Sequence, residues 1–178
     1  MSRIPLIDPT QTTADRQVLL TEIHAAFGTT PNMFKAVANS PAALKSMWGS
    51  FGALGGGVIP AKLGEQIAVA IANRNACEYC LSAHTALGRK AGATSQEMSA
   101  AQQGQSDDPK TAAALKFALG VVESRGGIAG EEVEALRSAG FTDEEIVEIL
   151  AHVALNLFTN YINVALDVPV DFPGVKLR

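Results

Sequence analysis

Apolar residues in this chain recur at the three-to-four spacing of amphipathic helices, not with the alternation of strands. Val18, Leu19, Ile23, Ala26 and Phe27 form one apolar face, which Gly28 stops. Thr30-Pro31 and Ser40-Pro41 each place a capping residue before a proline suited to a first helical position. The helix after Ser40 carries Leu44, Met47, Trp48 and Phe51 and runs into Gly55-Gly56-Gly57. Pro60 opens a helix rich in Leu63, Ile67, Val69 and Ile71, and a further run from Cys77 to Ala91 has Gly92 as its left-handed terminator. Thr94-x-x-Glu97 and Thr142-x-x-Glu145 fit the capping box, in which hydroxyl and carboxylate each satisfy a free backbone N–H. Asp108-Pro109 opens a helix that ends near Gly126-Gly127, residues 131–139 form a short one, and a long helix covers 143–166. Residues 1–13 are predicted to lie extended across the surface or a neighbouring subunit, and the prolines after Asp167 keep the tail extended. With no strand pattern and no dividing linker, the expectation is an all-α helical bundle, a single domain over residues 1–178.

Composition narrows the function classes. The 178 residues are 47% hydrophobic, which excludes disorder. A net charge of −4 argues against nucleic acid or an anionic membrane surface as partner, since either needs a basic face. The N-terminus lacks the apolar run of a secretory signal. Ile149 to Leu166 carries no formal charge, yet His152, Asn156, Asn160 and Asn163 succeed one another at spacings of 4, 4 and 3 and so share one helical stripe. That stripe marks a buried amphipathic helix, not a membrane span. It either lines a substrate cavity or satisfies buried hydrogen bonds, and the second reading is favoured because buried amides are normally paired. Both cysteines fall in one C-x-x-C, which suits a thiol site of the cytoplasm better than a secreted disulfide scaffold.

Chemistry concentrates between Glu65 and His84. Cys77 and Cys80 are three residues apart, so in a first helical turn their sulfurs face the same side. Their Cα atoms would be about 5–5.5 Å apart, within disulfide reach. Cys80 and His84 are four apart, so the imidazole can polarise the sulfur directly or through a water. Glu65 precedes Cys77 by twelve residues. On a continuous helix that is about 18 Å of rise, too far to join the site. Asn73-Arg74-Asn75 suits a turn, with Asn75 able to cap the next helix, and a hairpin centred there sets Glu65 beside His84. Glu78 then faces water.

This is the equipment of a two-cysteine peroxidase. The helix N-terminus favours thiolate, His84 accepts or relays the proton, and Glu65 orients the ring. Cys80, paired with His84, is the attacking thiol; Cys77 resolves its sulfenic acid to a disulfide. No cofactor or metal is called for. A zinc site on Cys77, Cys80, His84 and Glu65 is the weaker reading, because structural zinc rarely takes a carboxylate and there is no second C-x-x-C. Buried structural thiols are the other bland alternative.

The spacing Glu65-(x11)-Cys77-x-x-Cys80-x-x-x-His84, continued by Gly88 and Gly92, resembles the AhpD-like alkylhydroperoxidases of the carboxymuconolactone decarboxylase superfamily. Pro31-Asn-Met-Phe, Ser40-Pro41, Ala154-Leu-Asn-x-Phe-Thr-Asn-Tyr and Asp171-Phe-Pro are similar to its peroxidase-related branch, so the likeness spans roughly residues 30–173. The resemblance implies an AhpD-like all-helical bundle, assembled as a trimer or hexamer, that reduces a hydroperoxide substrate. It gives Cys80 as peroxidatic, Cys77 as resolving, and His84 and Glu65 as the proton relay, with an external dithiol reductant or reductase system as partner. One position departs: where the well-studied alkylhydroperoxidases carry histidine before the second cysteine, this chain has Tyr79. Two rival classes make distinct predictions. A carboxymuconolactone decarboxylase-like lyase acting on a ring acid keeps its activity without the cysteines, and a non-catalytic redox or oligomeric module has reactive cysteines without turnover.

Overall fold

A computed structural model describes residues 2–178, and Met1 of the expected extended arm lies outside the described residues. Those residues form α1 (Ala14–Phe27), α2 (Asn32–Val37), α3 (Pro41–Gly55), α4 (Ala61–Arg74), α5 (Glu78–Lys90), α6 (Ser95–Gln102), α7 (Pro109–Ser124), α8 (Gly130–Ser138) and α9 (Asp143–Ala165), with no strand among them. The fold is all-α, as the periodicity requires. Helix α4 is the hub. Ile67 to Ala72 are buried without interruption, so this helix has no solvent face over nearly two turns and packs on α5, α6, α7 and α9 at once. Phe34, Leu44, Ile67, Leu81, Leu115 and Ile149 bring six helices into one apolar core.

Local chemistry sets the helix boundaries. Ser40 accepts the Ala43 N–H at 3.2 Å with Pro41 at the first helical position, and Asp108 does the same for Thr111 at 2.8 Å ahead of Pro109. Both expected capping boxes form: Thr94 and Glu97 exchange bonds of 2.7 and 3.1 Å, Thr142 and Glu145 bonds of 2.7 and 3.2 Å. Two expectations fail. Thr30 does not cap α2; Pro31 takes the cap position, and Thr30 is buried with its hydroxyl 3.3 Å from His24 Nδ1. Asn75 does not cap α5 but ends α4, because its side chain is drawn away to Asn160 Oδ1 at 3.0 Å.

Both terminal segments lie against the chain's own surface. Arg3 N–H donates to the Leu166 carbonyl and Ile7 N–H to that of Lys35, while Ile4, Leu6 and Ile7 pack on the core. The C-terminal segment straps across α5: Asp171 accepts the Asn32 N–H at 2.7 Å, Val175 N–H donates to Ser82 at 3.0 Å, and Gln102 donates to the Lys176 carbonyl at 2.8 Å. No helix of the described residues is long and apolar enough to cross a membrane.

Candidate active site

The site is built on the joint between α4 and α5. The Cys77 N–H bonds back to the Ala72 carbonyl at 2.8 Å and the Ala76 N–H to Asn73 at 3.2 Å. These are the paired bonds of a Schellman stop, with Ala76 at φ 52° in the left-handed position where glycine is usual. The residue closing α4 also opens α5, because Cys77 is the N-cap and its sulfur accepts the Cys80 N–H at 3.3 Å. The sequence puts Cys77 inside the first turn; the structure puts it one position earlier, with its sulfur on the free N–H groups of the helix start. Glu78 is exposed, as expected.

The hairpin folds α5 back along α4, and His84 Nδ1 lies 2.7 Å from Glu65 Oε2. Gly88 permits this approach. A Cβ at position 88 would lie 3.3 Å from Glu65 Cβ and run into Met98. Burial pulls the His84 pKa down, but the charge and hydrogen bond of Glu65 and the neighbouring Cys80 outweigh it and leave it raised. The pair favours imidazolium.

The two thiols are unlike. Both are free and buried, Cys77 to 1% exposure and Cys80 to 2%. Burial opposes ionisation of Cys80, yet the Cys77 thiol, the His84 charge and the amides of Asn163 and Asn160 hold its pKa down at about 6. The hydrogen bond with Cys80, then burial, push Cys77 up. The two shifts run in opposite directions, with Cys80 the more acidic thiol and Cys77 the one that holds its proton more tightly.

Sequence reasoning missed the most direct contact on the reactive sulfur: Asn163 Nδ2 lies 3.1 Å from Cys80 Sγ. Asn163 belongs to the stripe on α9. Asn160 in the same stripe accepts from Asn75, and Asn156 donates to the His152 carbonyl at 2.9 Å. The stripe therefore satisfies buried hydrogen bonds and also serves the site. Tyr79 is a tether. Its hydroxyl accepts the Met33 N–H at 3.1 Å, its ring meets Phe172 edge-on at 5.8 Å, and burial pushes its pKa up so that it stays protonated.

Two hollows flank His84. An apolar slot of about 30 Å³ reaches Cys80 between Met33, Phe34 and Phe172. A larger cavity of about 150 Å³ opens on the Glu65 side toward His152 and Asn156.

The profile of the Carboxymuconolactone decarboxylase family matches residues 41–124. Among solved structures, an alkylhydroperoxidase AhpD core from Ralstonia eutropha JMP134, an uncharacterized peroxidase-related protein, is similar at a TM-score of 0.85 and 26% identity, over 96% of this chain and 92% of that one. The chain is similar to the AhpD-like, carboxymuconolactone decarboxylase superfamily in its central segment and in its fold. Two further structures share this AhpD-like fold. An uncharacterized peroxidase-related protein from Silicibacter sp. TM1040 gives a TM-score of 0.82 at 24% identity, over 94% of this chain and 91% of its own. A cysteine-to-alanine variant of the debrominase Bmp8, in complex with 2,3,4-tribromopyrrole, gives 0.79 at 23% identity, over 96% and 94%. No curated protein matches. The matched family segment contains Glu65, Cys77, Cys80 and His84, while Asn163, on α9, lies beyond it.

Proposed function

We propose that this AhpD-like protein is a thiol-dependent peroxidase in which Cys80 attacks a hydroperoxide, Cys77 resolves, and His84 with Glu65 moves the proton. The observation that carries this is the unlike setting of the two sulfurs: Cys80 Sγ takes the Asn163 Nδ2 donor at 3.1 Å and lies one turn from the Glu65-paired His84, which favours its thiolate, while Cys77 Sγ caps the helix start and its pKa is pushed up. The Cys80 thiolate attacks the terminal oxygen of ROOH and the O–O bond breaks. The leaving alkoxide takes a proton from imidazolium, giving Cys80–SOH and ROH. The Cys77 thiol condenses with the sulfenic acid to a disulfide and water, and an external dithiol returns two electrons and two protons. Removing Cys77 as a donor leaves the sulfenic acid without a resolver.

A dithiol-driven peroxide assay tests this. Cys80→Ser is expected to abolish peroxide consumption, and Cys77→Ser to accumulate a sulfenic acid that dimedone captures. Full turnover by Cys80→Ser would overturn the assignment. The ring-acid lyase is the poorer reading of the same site. The lining of the 150 Å³ cavity has no lysine or arginine, and the one charge-bearing base there, His84, is already paired with Glu65, so a carboxylate substrate would find no free cation.

The same reading makes the protein a homo-oligomer, a trimer or hexamer, working in the cytoplasm where the thiols stay reduced. Val147, Leu150, Tyr161 and Val164 leave an exposed apolar stripe along α9, and a second copy of the chain is the partner that would cover it. Light scattering of Tyr161→Glu should show a smaller particle than the parent protein; an unchanged mass would place the contact elsewhere.

A further inference from the structure

We propose that the cavity on the Glu65 side of His84 is a binding chamber for neutral, benzene-sized organic molecules with one hydroxyl-type donor, and that Asn156 with His152 receives that polar head. Size comes first. The cavity measures about 150 Å³. An apolar cavity of about that volume admits benzene. Phe51, Leu54, Ile59 and Leu155 give it an apolar wall suited to a ring or short branched alkyl group.

The polar end is set by Asn156. This residue is buried to 4% exposure and lines the cavity. Its Nδ2 is committed to the His152 carbonyl at 2.9 Å, which fixes the amide, and its Oδ1 has no hydrogen-bond partner among the described residues. A buried carbonyl oxygen left unpaired is unfavourable, so a ligand bringing a donor is favoured there.

His152 supplies the second group. Its Nε2 also lacks a partner among the described residues. Its ring packs against α4 at Gly64: a Cβ there would stand 3.2 Å from His152 Cε1, so the ring would have to give by a few tenths of an ångström. Glu148 on α9, which accepts the Val58 and Ile59 N–H groups at 2.9 and 2.8 Å, lies 4.0 Å from that Nε2. Glu65 and His84 face the ring from α4 and α5, and burial keeps His152 on its neutral side.

Charge then selects the ligand. Glu65 and His84 form a closed pair in the wall, and Glu148, behind the cavity lining at 4.0 Å from His152 Nε2, leaves an unneutralised negative charge that disfavours an anion. A neutral molecule with an O–H fits; because Glu65 and His84 stand in the wall, the chamber rests on the proposed peroxidase reading only for its place beside that pair.

Binding can be read without turnover. Fluorine NMR titrations of the intact protein would use 4-fluorophenol, fluorobenzene and 4-fluorobenzoate as probes. The phenol is expected to bind saturably and the benzoate at least tenfold more weakly. Asn156→Leu should weaken the phenol about tenfold and leave fluorobenzene unchanged, which also shows that the chamber is intact. Gly64→Ala, which displaces the His152 ring by a few tenths of an ångström, should weaken phenol more than fluorobenzene. Equal phenol binding by Asn156→Leu, or benzoate binding as tight as phenol, would overturn the proposal. Peroxide turnover without phenol binding sinks the chamber alone; phenol binding without turnover sinks the peroxidase reading alone.

Discussion

Glu65 Oε2 and His84 Nδ1 meet at 2.7 Å although they stand nineteen positions apart in the chain, because the α4–α5 joint returns one helix along the other. The carboxylate keeps the imidazole charged, and that charge favours the thiolate one turn away. Glu65→Gln keeps the shape and removes the charge. His84 then loses its largest source of upward shift, and Cys80 in turn loses part of its downward one. Thiolate absorbance should titrate near 6 in the parent protein. It should move up by about one unit in Glu65→Gln. Peroxide reduction therefore falls as pH drops through the Cys80 pKa, and the acid limb moves to higher pH in the variant. An identical limb would remove the carboxylate from the relay.

Asn163→Leu deletes the amide donor on Cys80 Sγ at similar volume. A hydrogen bond to a charged group contributes about 1.5–3 kcal/mol. The Cys80 pKa is therefore expected to rise by about one to two units, since one unit corresponds to about 1.4 kcal/mol. Thiolate titration checks this directly, and the peroxide rate at neutral pH should fall with it.

Phe172 closes the slot over Cys80 and is held there by Tyr79. Both sulfurs are almost fully covered, so an external dithiol must displace this strap to reach them. Phe172→Ala should speed reaction with a bulky aromatic disulfide several-fold while changing the rate with hydrogen peroxide much less. Equal acceleration of both reagents would mean that the strap does not gate access by size.

Ala76 sits at φ 52° between the helices. A non-glycine residue in that region is strained by about 1–2 kcal/mol, part of which glycine's greater unfolded-state freedom offsets. Ala76→Gly should hold or raise the melting temperature, by up to about 2–4 °C, with unchanged turnover. A fall in melting temperature would show that the methyl group makes a contact worth more than the strain.

The elements of this fold were legible because their signals are local: hydroxyls and prolines at helix starts, glycines at stops, and apolar spacing between. The hairpin was legible for the same reason, since Asn73 to Asn75 break an otherwise apolar helix, and its centre decides which residue faces Glu65. What stayed hidden depends on side chains choosing between partners. Asn75 has the chemistry of a cap, but Asn160, 85 residues away in sequence, competes for it. Asn163 shows only as one polar position in an uncharged stripe, and nothing in the chain before α9 indicates that it ends on sulfur. The two hollows beside His84 arise from helix packing, which spacing alone does not describe.

Gly88 contributes no side chain to the chemistry, yet the separation of acid and base passes through it. The backbone of α5 slides against Glu65 at that point because nothing projects from it. Any larger residue there would act as a wedge, lengthening the carboxylate–imidazole contact and detuning the thiol one turn further on, while every polar group of the site stayed in place. The reactivity of the thiol can therefore be altered from this silent position with the Glu/Cys/Cys/His pattern left untouched.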